Sequence, residues 1–186
     1  RFVLDPHDRM PEGVGSRLRL RLPAERAFGT GSHESTRLAL RLLLEAEPTG
    51  RDVLDVGTGA GTLALAARAA GARRAAGFDL DLDAPFVARR NALRNAVEGC
   101  AFWAGLLTSL AAHARFDLVV ANMLQEEVAP LLPGLAAILP AGGTLVTSGQ
   151  LAAREGEFLA LLGAAGLRPR RLASEGDWLG TLSERA

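Results

Sequence analysis

The run Asp52-Val-Leu-Asp-Val-Gly-Thr-Gly-Ala-Gly-Thr-Leu-Ala-Leu-Ala-Ala constrains this chain more than any other feature. A short apolar segment ends in a carboxylate, turns on three alternate glycines, and passes into a stretch of good helix formers. A second apolar segment, Arg74 to Asp79, ends in another carboxylate. A strand, a tight loop, a helix and a second strand in this order make a parallel crossover unit, which must sit in a sheet covered on both faces.

The rest of the chain repeats the alternation. Strands are expected over 53–56, 74–79, 101–104, 116–121 and 144–148, and helices over 34–47, 62–70, 83–95, 126–139 and 151–165. Pro130 and Pro133 are expected to delay or kink the fourth of these helices. Gly166 stops the last one. Two short runs, 167–173 and 177–182, have no helical segment between them and read as an antiparallel hairpin. The fold class is therefore α/β: a doubly wound, mostly parallel sheet with an antiparallel C-terminal hairpin. Residues 34–186 form that domain. Residues 1–33 read as an extension beside the sheet, with one strand at Arg17 to Leu22 whose Leu18, Leu20 and Leu22 point inward, and a glycine-containing loop at 28–33.

Composition removes several function classes. Formal net charge is zero, so no global basic field points to nucleic acid. All basic side chains other than histidine are Arg, which excludes a Schiff-base lysine. A single cysteine, Cys100, excludes an internal disulfide and a cysteine-based metal cluster, and it reads as a small buried residue. No metal site is expected. No run approaches the ~18 apolar residues of a membrane span and no secretory signal is visible, so a cytoplasmic protein without membrane contact is expected.

In such sheets ligands bind beyond the carboxyl ends of the strands, at the point where strand order reverses. Asp55, Gly57, Gly59 and Gly61 lie at such an end. Glycine there lets the backbone approach a ligand. The spacing departs from the dinucleotide fingerprint, because Thr62 stands where its third glycine would be. Asp55 would repel a pyrophosphate at the helix N-terminus but suits the ammonium of a methionine tail. Asp79, at the next strand end, suits both hydroxyls of a ribose. The absence of Gly-Lys-Ser/Thr excludes a P-loop. S-adenosyl-L-methionine is thus favoured over NAD.

This pattern resembles class I S-adenosylmethionine-dependent methyltransferases over about residues 52–186, which implies a seven-stranded Rossmann-like sheet with a reversed last strand. Many members place an Asp after the third strand to meet the adenine amino group; Ala104-Gly-Leu-Leu has none, so a backbone group or water serves instead. Two more segments, Ala27-Phe-Gly-Thr-Gly-Ser-His-Glu-Ser-Thr-Arg-Leu-Ala-Leu and Val120-Ala-Asn-Met-Leu, are similar to those of ribosomal protein L11 methyltransferases. The resemblance implies cofactor contacts at Thr36, Gly57, Asp79 and Asn122. It puts the Thr36 hydroxyl near the methionine carboxylate, and Asn122 where the methyl group meets its acceptor. Asn122 is the candidate catalytic residue, its amide oxygen accepting from an incoming amine.

His33 reads as an N-cap or loop histidine, with a catalytic base as the other reading. Trp103 and Trp178 read as packing residues. No strong general base is evident. Members of the family carry a separate N-terminal recognition domain, whereas only about 50 residues precede the glycine loop here, so a chain lacking that domain is expected. The implied function is N-methylation of a protein, with ribosomal protein L11 as the possible partner. A stand-alone methyltransferase of another protein or a small-molecule amine, or a non-catalytic cofactor-binding module, stay open.

Overall fold

The computed structural model describes residues 2–5, 18–22 and 33–186. The loop read at 28–32 and the side chain of Leu18 lie outside the described residues. In chain order the elements are β1 (Phe2–Asp5), β2 (Leu18–Arg21), α1 (Glu34–Glu45), β3 (Asp52–Val56), α2 (Thr62–Ala69), β4 (Arg74–Asp79), α3 (Ala84–Arg94), β5 (Cys100–Ala104), β6 (Leu118–Asn122), α4 (Gln125–Val128), α5 (Leu132–Ile138), β7 (Thr144–Leu151), α6 (Glu155–Ala164), β8 (Leu167–Glu175) and β9 (Trp178–Arg185).

Seven strands make one sheet in the order β5-β4-β3-β6-β7-β9-β8. All neighbours pair in parallel except β9, which inserts antiparallel between β7 and β8. The expected sheet and terminal hairpin are both present. The order reverses between β3 and β6, which places the switch point beside the glycine loop. At the front, β1 and β2 form a separate parallel pair, where the sequence suggested one strand. Leu20 and Leu22 are buried, as their alternation implies.

The sheet carries a core on each face, because successive side chains of a strand point to opposite sides. Val53, Leu118, Val120 and Val146 pack under α1 and α2, against Leu38, Leu42 and Leu65. Leu54, Val119, Ala121 and Leu145 pack under α5 and α6, against Leu135, Phe158 and Leu162. Helix α1 sits directly on β9: a Cβ on Gly180 would stand 2.7 Å from Leu42 and 2.8 Å from Leu38.

The expected helix over 126–139 is broken. A 3-10 turn at Ala129–Leu131 separates α4 from α5. Pro130 and Pro133 each fall in the first turn of the piece they occupy, the place where a residue without an N–H costs least. Cys100 is half-buried and burial pushes its thiol up to about 11, so it stays protonated as a small packing residue. Among the described residues no helix is long and apolar enough to cross a membrane.

Candidate functional site

The glycine loop owes its shape to backbone bonds with β4. The N–H groups of Gly57 and Thr58 both donate to the Phe78 carbonyl, at 3.0 Å each. Gly57 has φ +68°, and a Cβ there would come within 2.7 Å of the Met123 methyl group. The left-handed backbone favours glycine here, and a side chain would also require the Met123 methyl to move aside.

Asp55 is used inside the fold. It is 1% exposed, and its Oδ2 accepts from the Thr58 hydroxyl at 2.7 Å and from the Ala64 N–H at 3.0 Å. Helix α2 starts at Gly61 with no side-chain cap of its own, so Asp55 supplies that cap from the preceding strand. Burial raises the Asp55 carboxyl to about 6, against the lowering effect of those two hydrogen bonds. Asp55 thus lies behind the loop, holding it, which is a place the sequence reading did not foresee.

A cavity of about 760 Å³ opens in front of the loop, at the carboxyl ends of β3, β4 and β6. Gly57, Asp79 and Asn122, three of the residues singled out from sequence, meet on its wall. The Asp79 carboxylate is oriented by two backbone donors, Gly59 N–H to Oδ2 at 2.8 Å and Asp81 N–H to Oδ1 at 3.0 Å. Gly59 therefore acts on the site through Asp79. Thr36, in the first turn of α1, is 2% exposed, and its hydroxyl accepts from the Asn122 side-chain nitrogen at 3.2 Å. Thr36 faces Asn122 rather than standing free to meet a ligand.

Helix α1 is anchored to the same wall. The Ser148 hydroxyl donates to the Ser35 carbonyl at 2.9 Å. His33 is the N-cap of α1, its Nδ1 accepting from the Ser35 N–H, as the capping reading held. It also lines the cavity, edge-on to Trp178 with ring centroids 5.0 Å apart. Trp178, read as a packing residue, is therefore part of the wall. Trp103 does pack, stacked on Phe78 at 5.6 Å.

The sequence reading missed the apolar wall. Phe78, Leu80, Leu106 and Leu107 contribute apolar surface to the lining. The signal was available for Leu80, which directly follows β4, while Leu106 and Leu107 stand beyond Gly105 after β5. The polar lining is acidic: Asp79, Asp81 and Glu127 reach the cavity, and no arginine lines it among the described residues. Such a lining suits a cationic ligand and opposes a pyrophosphate. The residues present therefore fit a nucleoside that carries a positively charged tail. A shallower concavity of about 500 Å³, lined by Leu44, Glu47, Pro48, Thr49 and Arg51 among others, lies near the amino end of β3 and has a single carboxylate among its described lining residues.

Comparison with known proteins agrees with this geometry. The family model of ribosomal protein L11 methyltransferase (PrmA) matches residues 1–185. The ribosomal protein L11 methyltransferase of Geobacter sulfurreducens is 44% identical over 156 residues, covering 82% of this chain and 50% of that protein. That of Thermus thermophilus is 39% identical over 165 residues, covering 89% and 64%. The chain spans about half the length of the curated relatives it matches. Among solved structures, a ribosomal protein L11 methylase from Lactobacillus delbrueckii subsp. bulgaricus superposes with a TM-score of 0.88 at 29% identity, covering 99% of this chain and 93% of that one. An RNA methyltransferase from Salinibacter ruber, solved with S-adenosyl-L-homocysteine, shares the fold at a TM-score of 0.64 and 24% identity, covering 80% and 90%. The chain belongs to the ribosomal protein L11 methyltransferase family.

Proposed function

We propose that this chain binds S-adenosyl-L-methionine and transfers its methyl group to amino groups of a protein, ribosomal protein L11 being the acceptor that the family name suggests. The observation that carries the reading is the cavity at the switch point, where Gly57, Asp79 and Asn122 converge under a lining that is acidic and free of arginine among the described residues. When bound, the cofactor supplies a methyl group on a positively charged sulfur, which is already a good leaving group.

The chain's own residues then have to bind, orient and exclude. Asp79 keeps lone pairs beyond those taken by Gly59 and Asp81, enough to accept from two ribose hydroxyls. Phe78, Leu80, Leu106 and Leu107 cover the base. Gly57 brings bare backbone to the tail. Asn122 has its amide nitrogen held by Thr36, which leaves the amide oxygen to accept from the incoming amine. Thr36 serves the reaction by orienting Asn122. An ammonium acceptor loses its proton to water before its lone pair is free, and alignment of nitrogen, carbon and sulfur does most of the remaining work. A ribosomal acceptor places the activity in the cytoplasm.

Calorimetry tests the reading. S-adenosyl-L-homocysteine is expected to bind and NAD not; the reverse pattern overturns it. Incubation with purified L11 and labelled methyl donor then tests the acceptor. Binding without label on L11 would leave another protein, a small amine or a non-catalytic role as the function.

A further inference from the structure

Among the described residues three carboxylates reach the cavity, from two sides. Asp79 and Asp81 stand after β4, where the backbone ties them down: Asp79 as described, and Asp81 through the Asp83 N–H, which donates to its Oδ1 at 2.9 Å. Glu127 comes from α4, which follows β6. In the sheet β3 lies between β4 and β6, so the two groups flank Gly57 from either side, the strands about 10 Å apart. Glu127 accepts from the Leu124 N–H through Oε2 at 2.9 Å, which closes the start of α4 two residues beyond Asn122.

Its neighbours are engaged elsewhere. Arg154 pairs with Glu126 and with Glu157, at 2.9 Å in the latter case. The Gln125 amide donates to Glu157 at 3.4 Å. Of the run Gln125-Glu126-Glu127, only Glu127 turns to the cavity.

We propose that Glu127 is the acceptor-side carboxylate of this site: it receives the amino group to be methylated and makes the site selective for amines. The proposal rests on the methyl-transfer reading above. The chemistry calls for a negative charge at this place. The nitrogen lone pair forms the new N–C bond as the C–S bond breaks, and its electron pair stays on sulfur. One unit of positive charge thus moves from sulfur to nitrogen, and the methylammonium then sheds its proton to water. A carboxylate on the cavity that Asn122 also lines favours that movement, and it draws the ammonium to the site beforehand. An acceptor that arrives as an anion gains nothing from it.

The test is a binding comparison that needs no protein acceptor. Sinefungin carries an amino group where the cofactor carries its methyl, whereas S-adenosyl-L-homocysteine carries neither. Both are titrated calorimetrically into the wild-type chain, Glu127→Gln and Glu126→Gln. Glutamine still accepts from the Leu124 N–H, so the start of α4 is kept. Glu126→Gln removes the same charge outside the cavity. Wild type is expected to prefer sinefungin, and Glu127→Gln to cut that preference about three- to fivefold, as for a partly exposed ion pair. S-adenosyl-L-homocysteine affinity is expected to stay within about twofold, and Glu126→Gln to keep the wild-type preference. No preference in wild type, the same preference in Glu127→Gln, or equal weakening of both ligands overturns the proposal. Failure of wild type to bind S-adenosyl-L-homocysteine overturns the methyl-transfer reading, and the proposal with it.

Discussion

Strand β3 carries one aspartate at each end, and the two have opposite fates. Asp52, at the amino end, is bound by Arg73 at 2.8 Å and by Arg74, and these guanidinium groups hold its carboxyl well below the usual carboxylate range. Asp55, three residues on, has no cation beside it among the described residues; burial lifts it to about 6. The amino end of the sheet is closed by charge. Asp117 adds to it, accepting from the Asp52 N–H at 2.9 Å. The carboxyl end is left open, and its buried carboxylate is kept because it caps α2 and holds the glycine loop. One end of the sheet is arranged for stability, and the other tolerates an unfavourable charge to shape a site.

Substitutions at the two ends should separate these roles. The largest effect is expected for Asp79→Ala, which removes an acceptor of two ribose hydroxyls and frees Gly59. S-adenosyl-L-homocysteine affinity should fall about 300-fold, read by calorimetry, with the circular dichroism spectrum unchanged. Unchanged affinity would remove Asp79 from the site.

Asp55→Asn comes next and is read through pH. A carboxyl with a raised folded-state value keeps its proton longer in the fold than in the unfolded chain. Stability is therefore lost as pH rises from its ordinary 3.8 through about 6. In urea titrations the wild type should lose about 3 kcal/mol across that window from this group, and Asp55→Asn should lack that slope while keeping acceptors for Thr58 and Ala64.

Asp52→Asn should do the opposite at a smaller scale. A lowered carboxyl contributes stability above its ordinary 3.8 that is lost as pH falls below it. Its arginine partners are exposed, so solvent screens the pair. The variant should lose about 1 kcal/mol at neutral pH and show a shallower loss in acid, with ligand affinity intact. Reduced affinity for S-adenosyl-L-homocysteine in Asp52→Asn would break the contrast between the two ends. The smallest expected effect is that of Thr36→Val, which unpins Asn122. Turnover should drop roughly threefold while S-adenosyl-L-homocysteine binds as before.

The main sheet was legible because its signals are local. Apolar runs, glycine turns and carboxylates at strand ends repeat along the chain, and each strand of the main sheet is present close to its expected bounds. Asp79 and Asn122 were legible for the same reason, each polar at the end of an apolar run. Gly57 and His33 were singled out as well, but Trp178 and Glu127 were not placed on the wall. Trp178 reaches the cavity because β9 inserts between β7 and β8, which no local pattern announces. Glu127 does so from the single turn of α4, in a helix whose start the sequence expected Pro130 and Pro133 to delay or kink.

The sequence by itself determined the fold class, the switch point and the kind of ligand that suits it, since periodicity and the order of loop residues suffice for these. The tertiary structure alone decided which side chains face the cavity and which serve them from behind. Asp55 and Asp79 look alike in sequence, each a carboxylate at the carboxyl end of a strand. One is buried under α2 and the other stands on the cavity wall. The difference lies in what packs above each strand end, and only the folded chain brings α2 over the one and leaves the other open.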